Sequence, residues 1–383
     1  VIPASRRLFL DANASVPVID GARSALLAAL EVCSGANPSS PHARGRAARR
    51  VLDVAREHIA AATSSSSKDV FLTSGASESN RLVVDMLVAQ ARRTRPLVVA
   101  TSPLEHPSIA RPLSAAAAAG AVALRVLPVV GDGADVDVDV DVDVALDDVD
   151  VVVCTAAHNE TGLLPRLDAL CARVPEHVVV VVDAAQSLAR TGPPPARADV
   201  IVVSAQKTGG VVGAGALVLR RRARAWPTPW TGGGQENGLR PGTEATPLHA
   251  AFGAACALIE ETRRAHVALV PLRDRLGAAV AAAAGGRVLA ASRPRLPNTA
   301  AVLFPGVDAD ALRMLLDGAG VDVGFGAACS ALSPEPSPGL RALGLGDDDT
   351  RRVVRLSLPP GATDADVDEA AERIADVARR LRA

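Results

Sequence analysis

The sequence predicts an α/β fold, a mostly parallel sheet sandwiched by helices, followed by a smaller α+β C-terminal domain. Three observations predict it. Short unbroken runs of Val, Ile and Leu alternate with longer helical patterns over the first two-thirds of the chain, as in βαβ units whose strands are buried on both faces. Unusual polar residues follow successive runs, where an open parallel sheet keeps its ligand crevice. From about Pro247 the pattern turns to long helix, then to short strands and a closing helix.

The apolar runs are Val70 to Leu72, Leu97 to Thr101, Val149 to Thr155, Val178 to Val182 and Val200 to Val203, with Ala214 to Leu219 as an antiparallel member. Between them, Ala47 to Ala62 and Asn80 to Arg93 read as helices, and Pro193-Pro194-Pro195 as a connection. The tract Asp135 to Val144 alternates Asp and Val, and reads either as a half-exposed edge strand or as a repeat expansion in a loop. Long helix is expected around Pro247 to Ala284, bridging to the C-terminal domain, then strands near Asn298 to Leu303 and Val353 to Leu358. In the closing helix, Thr363 and Asp366 form a capping box, and Val367, Ile374, Val377 and Leu381 share one apolar stripe.

Composition narrows the function classes. A chain of 383 residues that is 49% hydrophobic can bury a large core. Its net charge of −1 argues against a nucleic-acid footprint or a polybasic membrane patch. The absence of Tyr removes the stacking platforms that single strands use. Five cysteines (Cys33, Cys154, Cys171, Cys256, Cys329) without a CxxC pair argue against a zinc knuckle or a disulfide framework, so no metal is expected. A reducing cytoplasm is the expected setting, with neither a membrane span nor a signal peptide read in the sequence.

Lys207 is one of two lysines beside thirty-nine arginines, and it follows the run Val200 to Val203 in Ser204-Ala205-Gln206-Lys207. Arg replaces Lys wherever only positive charge is required, but it cannot lose a proton and form a Schiff base with a carbonyl. Lys207 is therefore a candidate for holding a carbonyl cofactor, pyridoxal phosphate being the usual one. After the run Val70 to Leu72 comes Thr73-Ser74-Gly75-Ala76-Ser77-Glu78-Ser79, a small-residue turn that opens a helix and suits a phosphate. His106, Asn159, Asp183 and Gln186 follow the next three runs. Taken singly, His106 reads as a loop histidine, Asn159 as a turn residue and Gln186 as a surface amide. Asp183 is different, because a carboxylate closing a buried valine run needs a partner. Together they predict one site.

These residues carry a family resemblance. The phosphate turn, Glu105-His106, His158-Asn159-Glu160-Thr161-Gly162, Val182-Asp183-Ala184-Ala185-Gln186-Ser187 and the Lys207 segment resemble the cysteine desulfurases, fold-type I pyridoxal-phosphate enzymes of the class V aminotransferase group. Leu10-Asp11-Ala12-Asn13-Ala14-Ser15, Asn37-Pro38-Ser39-Ser40 with His42, and Gly232-Gly233-Gly234-Gln235-Glu236 leading to Arg240-Pro241-Gly242-Thr243 are similar to further family segments. So are Gly326-Ala327-Ala328-Cys329-Ser330 and Glu335-Pro336-Ser337, which mark the branch with a long cysteine loop, about residues 324–338.

The resemblance implies a seven-stranded sheet in a large domain over 16–260, and a small domain formed by 1–15 with 261–383. It implies that Lys207 holds pyridoxal 5'-phosphate, Asp183 keeps its ring nitrogen protonated, His106 stacks on the ring and Gln186 bonds the ring hydroxyl. Ala76, Ser77, Ser204 and Gln206 would bind phosphate, and Thr243 would reach the phosphate of a partner subunit in a homodimer. Asn37, Asn159 and Arg355 would bind substrate, and Cys329 would be the nucleophile that takes sulfur from L-cysteine for a sulfur-acceptor protein or carrier.

The chain departs from the family at Gln206, where His is usual, which predicts weaker or pH-flat cofactor retention. The stretch Thr208 to Gly213 lacks the usual aromatic and proline, and Phe325 and Ala327 stand where small hydroxyl residues are usual. Alternatives are a selenocysteine lyase, another C–S lyase or aminotransferase-like enzyme, and a degenerate sulfur-relay scaffold. The missing GxGxxG argues against a dinucleotide oxidoreductase.

Overall fold

The computed structural model describes residues 6–130, 139–140, 146–325 and 335–382. Cys329, residues 326–334 of the expected cysteine loop, and all of the Asp/Val tract except 139–140 lie outside the described residues. The strands are β1 (Leu8–Leu10), β2 (Val70–Thr73), β3 (Leu97–Thr101), β4 (Val122–Val126), β5 (Val129–Val130), β6 (Asp139–Val140), β7 (Val151–Thr155), β8 (Val179–Asp183), β9 (Val200–Ser204), β10 (Gly215–Leu219), β11 (Arg287–Val288), β12 (Thr299–Leu303), β13 (Val321–Phe325) and β14 (Val353–Ser357).

Seven strands form one sheet in the order β2-β10-β9-β8-β7-β3-β4. β10 is antiparallel to both β2 and β9, and the pairs from β9 through β4 are parallel. Parallel strands buried on both faces have no polar side, which is why their sequences are nearly unbroken valine. The period of two then divides each strand between two cores. Val180 and Val182 pack with Leu52, Ile59 and Phe252 on one face, whereas Val179 and Val181 pack with Leu82, Met86 and Ile109 on the other. β4 is an edge strand with Ala123, Leu124 and Val126 exposed, and this mixed pattern hid it from sequence reading.

The second sheet has the order β1-β13-β14-β12-β11. β1 pairs in parallel with β13, so the chain's first strand joins the sheet made otherwise from its last third. The helices Val270–Ala284 and Asp364–Arg380 cover it through Leu276, Val280, Val367, Ile374 and Val377. Thr363 and Asp366 close the reciprocal capping box at the start of the second of these helices.

The long helical stretch expected around Pro247 to Ala284 is present as three helices: Thr246–Ala257, Ile259–Val267 and Val270–Ala284. The second break precedes Pro271, which sits in the first turn of the last helix. Proline has no N–H for a helix interior and is tolerated where that N–H would be unpaired anyway. No helix among the described residues is long and apolar enough to cross a membrane.

Candidate active site

The carboxyl ends of β3, β7, β8 and β9 meet the amino end of helix Ala76–Ala91 around a cavity of about 380 Å³. Its wall includes Ala76, Ser77, His106, Asn159, Asp183, Gln186, Ser204, Gln206 and Lys207 from the large sheet's side, and Arg355 from β14. Ten of the expected residues thus converge from six chain segments, because parallel strands point their carboxyl ends the same way.

Asp183 ends β8 two residues after Val181, so it faces the same layer of helices as Val181. There the Asn80 amide donates to Asp183 Oδ2 at 2.9 Å, and the Ala185 N–H donates to Oδ1 at 3.0 Å. A carboxylate has about four acceptor sites, so these two donors leave capacity for a third. Asn80 also donates to Ser108 Oγ at 2.8 Å, and Ser108 in turn bonds His106 Nδ1 at 2.8 Å.

His106 caps helix Pro107–Ala118, and its Nδ1 accepts the Ser108 N–H at 3.1 Å. With Nδ1 accepting, the neutral ring carries its proton on Nε2. Burial lowers the His106 pKa, and Lys207 adds to this while Asp183 opposes it. The imidazole is therefore neutral near pH 7.

Gln186 donates through Nε2 to the Asn13 carbonyl at 3.0 Å, and its Oε1 is buried without a partner. Gly75, at the amino cap of helix Ala76–Ala91, has no side chain with which to cap it, so the first-turn N–H groups border the cavity beside a positive helix end. Gly215 leaves room for this turn, since a Cβ there would lie 2.5 Å from Gly75 Cα. An amine, a carboxylate with spare lone pairs, an unpartnered acceptor and an N–H-rich anion cradle fit a phosphorylated pyridine aldehyde.

Two expected residues stand elsewhere. Asn37 is exposed and its Oδ1 accepts the Ser39 N–H at 2.8 Å, so its side chain closes a local turn rather than reaching the cavity. Thr243 is exposed and does not line this chain's cavity. Its segment is tethered to the phosphate turn by Arg240, whose Nε donates to Glu78 Oε1 at 2.8 Å. Sequence reading missed Asn80, Ser108 and Asn13. A signal for Asn80 existed: it is a lone amide beside Leu82, Val83, Met86 and Leu87 on a helix that follows the small-residue turn.

The aminotransferase class-V family model matches residues 8–370. The chain belongs to the class-V aminotransferase family. Within this family it is 36% identical to a cysteine desulfurase of Frankia sp. (strain EuIK1), over 98% of this chain and 92% of that protein. It is 30% identical to the selenocysteine lyase of Bos taurus, over 99% of this chain and 95% of that protein. Among solved structures, a NifS-like protein superposes with a TM-score of 0.87 at 26% identity, covering 98% of this chain and 100% of that one. SspA, solved in complex with cysteine, gives 0.74 at 26% identity, over 93% of this chain and 99% of that one.

Proposed function

We propose that this class-V aminotransferase is a pyridoxal-phosphate-dependent cysteine desulfurase that converts L-cysteine to L-alanine and moves the sulfur onto Cys329. The observation that carries the reading is the meeting of Lys207, Asp183, His106 and the phosphate turn in one cavity with Arg355 from the other sheet. Full-length similarity to cysteine desulfurases supports it. In this reading residues 16–260 carry the cofactor, while 1–15 with 261–383 carry Arg355 and Cys329.

Pyridoxal phosphate, when bound, supplies an aldehyde that bonds an amine and a ring that accepts the electron pair released at the substrate α-carbon. Lys207 Nζ would hold that aldehyde and would move the substrate α-proton. Asp183 accepts a hydrogen bond from the ring N–H and keeps the proton there. Gln186 Oε1 accepts the ring hydroxyl, the bond for which this buried atom otherwise lacks a donor. His106 would offer its neutral ring to the cofactor. Ala76, Ser77, Ser204 and Gln206 take the phosphate, and Thr243 takes the phosphate of a partner subunit in a homodimer. Arg355 binds the substrate carboxylate beside Asn159.

The Cys329 thiolate attacks the substrate sulfur, the carbon–sulfur bond breaks, and the proton balance closes as L-cysteine plus thiol giving L-alanine plus persulfide. An acceptor protein then takes the sulfur. The described cysteines are poorer candidates, because burial raises the thiol pKa of Cys33, Cys154, Cys171 and Cys256, Cys171 to about 11.

Purified protein should be yellow, and borohydride should fix the cofactor to Lys207. Lys207→Ala should lose both the trapped adduct and turnover, and Cys329→Ser should keep the colour without forming persulfide. An unmodified Lys207 peptide after trapping would end the reading. The bovine relative favours selenocysteine as a second substrate to test. Alanine formation from selenocysteine exceeding that from cysteine at equal concentration would reassign the enzyme as a selenocysteine lyase.

A further inference from the structure

Arg355 is almost fully buried, its side chain 4% exposed, yet it keeps a carboxylate partner of its own: Nη2 lies 2.6 Å from Asp11 Oδ1. Its Nη1 donates to the Asn159 carbonyl at 3.0 Å, and its Nε is buried without a partner. Gly324 lies beside Arg355 in register on β13, and a Cβ there would come within 2.5–2.7 Å of the guanidinium. The guanidinium is therefore held against bare backbone. Asp11 is fixed by the same sheet, through its bridge to Ser357 and the Ala12 N–H to Ser357 carbonyl bond of 3.0 Å. Arg355 lines the cavity, whereas Asp11 is not among its lining residues.

A buried guanidinium without a counter-charge is costly, and Asp11 offsets that cost before any substrate arrives. The same contact weakens the charge that an incoming carboxylate meets. From this geometry we infer that Asp11 is a positioning residue that holds Arg355 and lowers the enzyme's affinity for the substrate and product carboxylate. The inference rests on the proposed role of Arg355. Asparagine at position 11 keeps the shape and an acceptor oxygen for Nη2 but removes the charge. Two carboxylates separated by one guanidinium repel across about 6–7 Å, enough in a partly screened site for a roughly ten-fold change in binding.

The test titrates cofactor-loaded protein with L-alanine, the product, and with ethylamine, which lacks the carboxylate, following cofactor absorbance. Asp11→Asn and Asp11→Ser should each lower the Kd for alanine, by about ten-fold for Asn, while the Kd for ethylamine stays level. A structural role alone would instead weaken both ligands together. Unchanged or weaker alanine binding in both variants, with Arg355→Ala losing its preference for alanine over ethylamine, overturns the role of Asp11 alone. If Arg355→Ala keeps that preference, the carboxylate role of Arg355 fails and takes this inference with it.

Discussion

Glu105 immediately precedes His106 and is 7% exposed in the cleft between the ends of β3 and β7. Its Oε1 accepts from Ser102 Oγ at 2.9 Å and from the Thr155 N–H at 3.0 Å, but Oε2 is buried with no partner. An ionised carboxylate would leave that oxygen unsolvated. Burial accordingly raises the Glu105 pKa from 4.5 to about 8, with Asp183 adding to the rise and the two hydrogen bonds opposing it. At neutral pH the side chain is thus a carboxylic acid that clamps the two strand ends from which His106 and Asn159 project.

The consequence for stability has a definite sign. A folded-state pKa above the unfolded value means the folded protein binds more protons between the two, so stability falls as pH rises from about 4.5 to 8 and then levels. At 1.36 kcal/mol per unit of difference, the loss across that window is about 5 kcal/mol at most. Glu105→Gln keeps the Oε1 acceptor and a neutral group at Oε2, so it should remove this slope. Urea unfolding of both proteins at pH 5, 6, 7 and 8, followed by far-UV circular dichroism, measures it. The variant should lose at least 2 kcal/mol less than the parent over that range. Parallel pH profiles would refute the assignment of a buried neutral acid.

Two further outcomes follow from packing. Gly215→Ala sets a methyl carbon against the Gly75 backbone at 2.5 Å, so the phosphate turn must shift; pyridoxal-phosphate affinity, read by fluorescence quenching, should fall about ten-fold or more while the secondary structure is kept. Glu236 accepts both Arg56 Nη groups and the Leu72 N–H, with a carboxylate that is 0% exposed, so Glu236→Ala leaves Arg56 with a buried charge and should cost about 3–5 kcal/mol in denaturant unfolding. Unaltered cofactor affinity in the first case, or a loss under 1 kcal/mol in the second, would contradict the geometry.

The sheet and the site were legible in the sequence to different depths. β7, β8 and β9 show themselves as valine runs because both their faces are buried, and the residues that follow them converge because parallel strands end on one side. β1, β4 and β13 carry weaker signals, being short, half-exposed or interrupted by Asp322. The break after Val267 is signalled by Pro271, whereas the one after Ala257 has no Gly or Pro beside it and is set by tertiary packing.

What the sequence determined by itself was the chemistry: a lysine kept where arginine is the rule, an aspartate closing a buried strand, and an amide, a histidine and a small-residue turn at neighbouring strand ends. Only the tertiary structure decided the partners of those groups. Asn80 reaches Asp183 because helix Ala76–Ala91 packs across β9 and β10, beside the strand that Asp183 ends. Asn37 is spent on its own turn. Asp11 meets Arg355 because β1 joins a sheet formed mainly from the last third of the chain. Residue type and strand period are local properties, whereas a contact spanning 344 positions depends on how whole elements pack.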